Sequence, residues 1–126
     1  MKVLIGEDLL DALLEASKRK YPNEFFSLLG GEVHGDIVKV KEIIYIPWKE
    51  GRTHAIVDIN AVPWDVVGSF HSHPGPPIPS SSDVGSFPWF GIVHIIAGYP
   101  FDRENVKAYD VNGREVEIIL GQRASF

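Results

Sequence analysis

An apolar stretch at 65–72 ends in His71-Ser72-His73-Pro74 and runs at once into a segment with four prolines between positions 74 and 79. That junction constrains the chain more than any other feature. Proline fixes φ and lacks an N–H, so 74–80 cannot continue a strand or form a helix. Residues 65–72 therefore read as a strand that stops abruptly and gives way to a stiff loop. Residues i and i+2 of a strand share a face, so His71 and His73 can reach one point in space. The Pro-rich loop can return Asp83 to that point. Two imidazoles and one carboxylate leave a fourth tetrahedral position open, which is how a catalytic zinc site is built.

Each of these residues also has a plainer reading. Ser80-Ser81-Ser82-Asp83 is a capping-box pattern, with Ser80 as N-cap and Asp83 at the third helical position. The two readings are compatible, because a capped helix start holds a carboxylate still. Glu24 stands between Pro22 and the apolar run Phe25–Leu29; a carboxylate at the mouth of a buried strand is a candidate general base. His34 reads as a solvated turn residue and His94 as a hydrogen-bonded core residue. His54 opens a possible strand, and none of the three has metal spacing to the others. Trp48, Trp64 and Trp89 read as core or rim packing, since no basic patch accompanies them.

The remaining sequence reads as one domain over 1–120 with a frayed tail at 121–126. Leu9, Leu10, Leu13, Leu14, Ala16 and Ser17 fall at helical spacing within 7–20. Glu7 and Asp8 suit the N-terminus of that helix, Lys18, Arg19 and Lys20 its C-terminus, and Pro22 stops it. Strands are expected at 25–33, 37–46, 54–59 and 65–72. A short helix should follow Ser80, and the apolar run 91–98 should be a buried central strand. Asn112-Gly113 joins 104–110 to 114–120 as a hairpin. The sum is an α/β chain, one or two helices on a mostly antiparallel or mixed sheet.

Composition narrows the function classes. There is no cysteine among the 126 residues, which excludes disulfides, thiolate metal sites and a Cys nucleophile, and fits a cytoplasmic protein. The formal charge of −5 argues against a nucleic-acid partner. No apolar run approaches the roughly 20 residues of a membrane span, and the first residues turn acidic too soon for a signal peptide. With no Cys, a zinc nucleobase deaminase is excluded in practice.

Taken in order, Pro22-x-Glu24, Leu28-Leu29-Gly30, His71-Ser72-His73-Pro74 and Ser80-x-x-Asp83 resemble the signature of the JAMM (MPN+) zinc metalloproteases. The resemblance implies a cytidine-deaminase-like mixed β-sheet with one long N-terminal helix and a short helix after the metal-binding loop. It implies Zn²⁺ held by His71, His73 and Asp83, with Glu24 as general base and Ser80 as an oxyanion donor. The implied activity is an isopeptidase that frees the Gly-Gly tail of a ubiquitin-like small modifier from a lysine. Two alternatives stand beside it: a peptidase trimming a residue such as cysteine from a sulfur-carrier C-terminus, and a metal-free scaffold that binds a partner. A homo-oligomer fits the resemblance too. The interval from His73 to Asp83 is shorter than usual in the family, and the helix that usually precedes the His-Ser-His-Pro strand has little room here. An exposed edge at 54–59 would suit a Gly-Gly tail added as an extra strand.

Overall fold

The computed structural model describes residues 1–45 and 65–121. In chain order these form β1 (Lys2–Gly6), α1 (Glu7–Lys20), β2 (Phe26–His34), β3 (Ile37–Ile44), β4 (Val66–His73), α2 (Ser81–Ser86), β5 (Val93–Gly98), β6 (Val106–Tyr109) and β7 (Glu115–Gly121). Single 3₁₀ turns lie at Phe87–Trp89 and Arg103–Asn105. The strands follow the order β1-β3-β2-β4-β5-β6-β7 and close into a barrel. Pairing is parallel for β1–β3, β1–β7 and β4–β5 and antiparallel elsewhere. The architecture is mixed α/β with few helices, as expected, but its sheet is closed.

The closing strand is the one that sequence reasoning missed. β1 is five residues long and enters α1 at Glu7 with no intervening loop. A run that short shows little periodicity. Its partners are 35 to 115 positions away, at Ile37 and Glu117. Val3 and Ile5 alternate inward and are fully buried.

Helix α1 starts at its acidic first turn and stops just before Tyr21-Pro22. Leu10, Leu13, Leu14 and Ser17 form its buried stripe. The three leucines share one core with Val3, Ile5, Val38, Val40, Phe70 and Ile95. Each fully buried aliphatic side chain contributes roughly 2 kcal/mol. Across the sheet a smaller core joins Phe87, Ile96 and Tyr109, with Val84 packed against it.

β4 carries both histidines, since it runs through His73 rather than stopping at 72. It lies between β2 and β5, and His71 is paired with Phe26 on one side and Ile96 on the other. Every position of β5 is buried, as a central strand requires. Beyond it the chain turns at Gly113, whose φ of 79° is the left-handed conformation that glycine adopts freely. Asp110 Oδ1 accepts from the amides of Asn112 and Arg114 there, at 2.8 and 3.0 Å.

Boundaries near the C-terminus also differ from expectation. Residues 103–105 are a 3₁₀ turn ahead of a shorter β6. Gly121, expected in a frayed tail, is the last residue of β7 and pairs with Gly6. The expected strand at 54–59, His54, Trp48, Trp64, the place of the reduced helix and residues 122–126 lie outside the described residues. No helix among the described residues is long and apolar enough to cross a membrane.

Candidate metal centre

His71 and His73 leave the same face of β4, and the Pro-rich loop brings α2 back over them. Their Nε2 atoms are 3.0 Å apart. Asp83 Oδ2 lies 3.1 Å from His73 Nε2 and 3.5 Å from His71 Nε2. The three residues form the one group of this kind among the described residues able to hold a metal ion.

The hydrogen bonding around the cluster shows why it fits a cation. Pro76 O lies 3.4 Å from His73 Nδ1. A carbonyl can only accept, so an Nδ1–H donating there would leave the Nε2 of a neutral ring free to hold an ion. That Nε2 meets a second imidazole nitrogen and a carboxylate oxygen, and a cation at their centre could be held by all three.

Asp83 is held by the start of its own helix. Ser80 is the N-cap of α2, and its Oγ accepts from the Asp83 amide at 3.1 Å. The Ser80 amide in turn donates to Asp83 Oδ2 at 2.8 Å, which completes the capping box. The oxygen gripped by the cap is the one that faces both imidazoles. Burial works against ionisation of Asp83, but hydrogen bonds from His71 and the Ser80 amide outweigh it and hold the carboxyl well below the usual carboxylate range. Ser80 spends a lone pair on the cap, so its hydroxyl hydrogen remains available to a ligand.

Glu24 is exposed and lies just outside β2. The β2–β4 register pairs Phe26 with His71. It is carried one step further by Phe25 and Ser72: the Ser72 amide donates to Phe25 O at 2.9 Å. Glu24 is the residue before Phe25, so this tie holds its backbone close to the end of β4. Ser72, the residue between the two histidines, was not singled out from sequence. Its Oγ accepts from the Phe25 amide at 2.8 Å and so ties the segment bearing Glu24 to the strand bearing the histidines.

Of the other described histidines, His34 is exposed as expected, but it ends β2 and pairs with Ile37 rather than lying in the turn. It meets Glu32 at 2.7 Å. His94 is the core residue expected. His94 is fully buried and stacks on Phe87, with ring centroids 4.1 Å apart. Its Nε2–H donates to Gly91 O at 3.0 Å, so its Nδ1 accepts from Ser69 Oγ–H at 2.7 Å. Burial lowers its pKa to about 4, and it stays neutral. Trp89 is exposed on its 3₁₀ turn, on the rim and not in the core.

The chain resembles known proteins over most of its length. Residues 6–112 match the family model for prokaryotic homologues of the JAB domain. A Haloferax volcanii protein named "Probable metalloprotease" is 37% identical over 127 residues, covering 91% of this chain and 78% of that protein. The crystal structure of a JAB1/MPN domain protein from Archaeoglobus fulgidus superposes with a TM-score of 0.74 at 36% identity, over 96% of this chain and 99% of that one. A solved structure described as a JAMM metalloprotease-like zinc site in the proteasome and signalosome gives a TM-score of 0.67 at 35% identity, over 94% and 97%. With its ligand set gathered at the end of β4 and its matches spanning β1 to β7, this chain belongs to the family of prokaryotic JAB-domain homologues, a JAMM/MPN-type domain.

Proposed function

We propose that this chain is a zinc metalloprotease that hydrolyses the isopeptide bond between the Gly-Gly C-terminus of a ubiquitin-like small modifier and a lysine of a target protein. The observation that carries the reading is the convergence of His71 Nε2, His73 Nε2 and Asp83 Oδ2, with Ser80 capping the helix that holds Asp83. Three corners of a tetrahedron drawn at ordinary zinc–ligand lengths lie about 3.3 Å apart. The separations here are 3.0, 3.1 and 3.5 Å. The complete ligand set disfavours a metal-free scaffold.

Zinc bound there would supply Lewis acidity, bringing a water's pKa from about 15.7 to about 7 and polarising the scissile carbonyl. Glu24 receives the proton of the attacking water and delivers it to the departing lysine amine, a poor leaving group as an anion. The Ser80 hydroxyl donates to the oxygen that gains negative charge. Asp83 is a poor candidate for the base, because its Oδ2 would hold the ion and already accepts from the Ser80 amide. The family names of the relatives, the ligand geometry and the absence of thiols support this assignment, and the last fits work in the cytoplasm.

The test is incubation of the protein with a lysine-conjugated ubiquitin-like modifier, with and without chelator. Cleavage that chelator abolishes and zinc restores is expected. Glu24→Gln should keep its zinc and lose about 10²–10⁴-fold in kcat. Release of a single C-terminal residue with intact conjugates would redirect the proposal to carrier-protein trimming. Chelator-insensitive cleavage would overturn it.

A further inference from the structure

We infer that Tyr109, more than 25 positions from the nearest metal ligand in sequence, is a positioning residue for the metal centre, acting through the Pro-rich loop. The inference rests on the proposed zinc site.

Tyr109 sits on β6 opposite His94, on the face that carries the histidines. Its ring is buried with Phe87 and Ile96, and its hydroxyl donates to Pro77 O at 2.6 Å. That bond is short and buried, and it is a strong contact of the loop. The neighbouring residue, Pro76, supplies the carbonyl that accepts from His73 Nδ1. At 3.4 Å this second bond is long beside the 2.9–3.0 Å typical of such contacts. A small retreat of the loop would break it. The loop has a second point of support: a Cβ on Gly98 would meet Gly75 O at 2.6 Å and Pro77 Cδ at 2.8 Å. Gly98 pairs with His73, so the loop lies directly on the strand beside the ligand. Ile78 N–H donates back to Pro76 O at 2.8 Å, so the Pro76 carbonyl is shared and its aim depends on where Pro77 is held.

The chain of control runs from the Tyr109 hydroxyl to Pro77 O, through one peptide unit to Pro76 O, and from there to the orientation of the His73 ring. Without the anchor, the Pro76 carbonyl no longer holds Nδ1, and the ring can turn its Nε2 away from the other two ligands. Groups that orient a ligating histidine in this way typically affect metal affinity by about 10–100-fold.

The test is competition for zinc between the protein and a chromogenic chelator, for wild type, Tyr109→Phe and Leu13→Ala. Tyr109→Phe removes one oxygen and keeps the ring. Leu13→Ala opens the α1 core away from the site and controls for general loss of stability. About a tenfold or larger rise in zinc Kd is expected for Tyr109→Phe, with Leu13→Ala close to wild type. In zinc-loaded protein the Nδ1–H of His73 should be protected from solvent exchange in wild type and clearly less so in Tyr109→Phe. A Tyr109→Phe Kd within twofold of wild type would overturn the inference while leaving the zinc site standing. Failure of wild type to bind zinc would instead remove the proposed site itself, and the inference with it.

Discussion

Ser72 Oγ accepts the Phe25 amide at 2.8 Å, which binds the strand carrying both histidines to the residue next to Glu24. In a regular ladder that amide would meet a strand carbonyl; here a side chain takes it. Ser72→Ala leaves the buried end of the bond empty and frees the Glu24 segment. We expect kcat on a modifier conjugate to fall about fivefold, equivalent to one lost hydrogen bond of roughly 1 kcal/mol, with zinc content unchanged. Ser72→Thr should restore most of the rate. Loss of zinc in Ser72→Ala would place its role at the histidines instead.

Ser80 has a structural duty and a proposed chemical one, and they separate by mutation. Ser80→Ala should cost about 1 kcal/mol of stability through loss of the cap and roughly 10²-fold in rate through loss of the donor. Ser80→Asp can still cap the helix but sets a negative charge where negative charge must develop. Urea denaturation paired with turnover measures both. A fully active Ser80→Asp would leave only the cap.

His94 makes the zinc-free protein acid-sensitive. Its folded-state pKa is near 4, below the unfolded value of about 6.5. The unfolded chain therefore binds the proton first as pH falls. Stability is unaffected by this group above about pH 6.5, declines between roughly 6.5 and 4, and is lower by about 3 kcal/mol below that range. Urea titrations with chelator present, at several pH values, should show this slope in wild type and a flatter one in His94→Gln. Equal slopes would assign the acid sensitivity to other groups.

Ser27 Oγ is fully buried and has no hydrogen-bond partner among the described residues. A buried unsatisfied hydroxyl costs roughly 1–3 kcal/mol. Ser27→Ala removes the hydroxyl with little change of volume and should stabilise the fold by about 1 kcal/mol. A clear loss of stability would reveal a partner for it.

What could be read from the sequence was local. The ligand pair required only strand alternation between His71 and His73. The placement of Asp83 required only a helix start, which Ser80-x-x-Asp83 spells out within four residues. Helix α1 announced itself through its leucine stripe and charged ends. What could not be read depended on distant neighbours. β1 is a strand because β3 and β7 flank it. Ser72 matters because Phe25 lies across a strand pair, and Tyr109 because its hydroxyl crosses the face of β5 to Pro77. None of these partners has a sequence spacing that a local pattern could reveal. The extended edge expected at 54–59 falls outside the described residues, and the strands that are described close on one another.

Asp83 Oδ2 is shared between the amide that begins α2 and the two imidazoles of β4. Helix formation and the proposed cation capture would therefore act on one atom, and their free energies would be reciprocal. Whatever the intact cap adds to affinity for the ion, the ion returns to the helix as resistance to fraying. Stripping the metal should thus loosen residues 81–86 before the barrel gives way. Hydrogen exchange in α2 then becomes a gauge of site occupancy that needs no substrate.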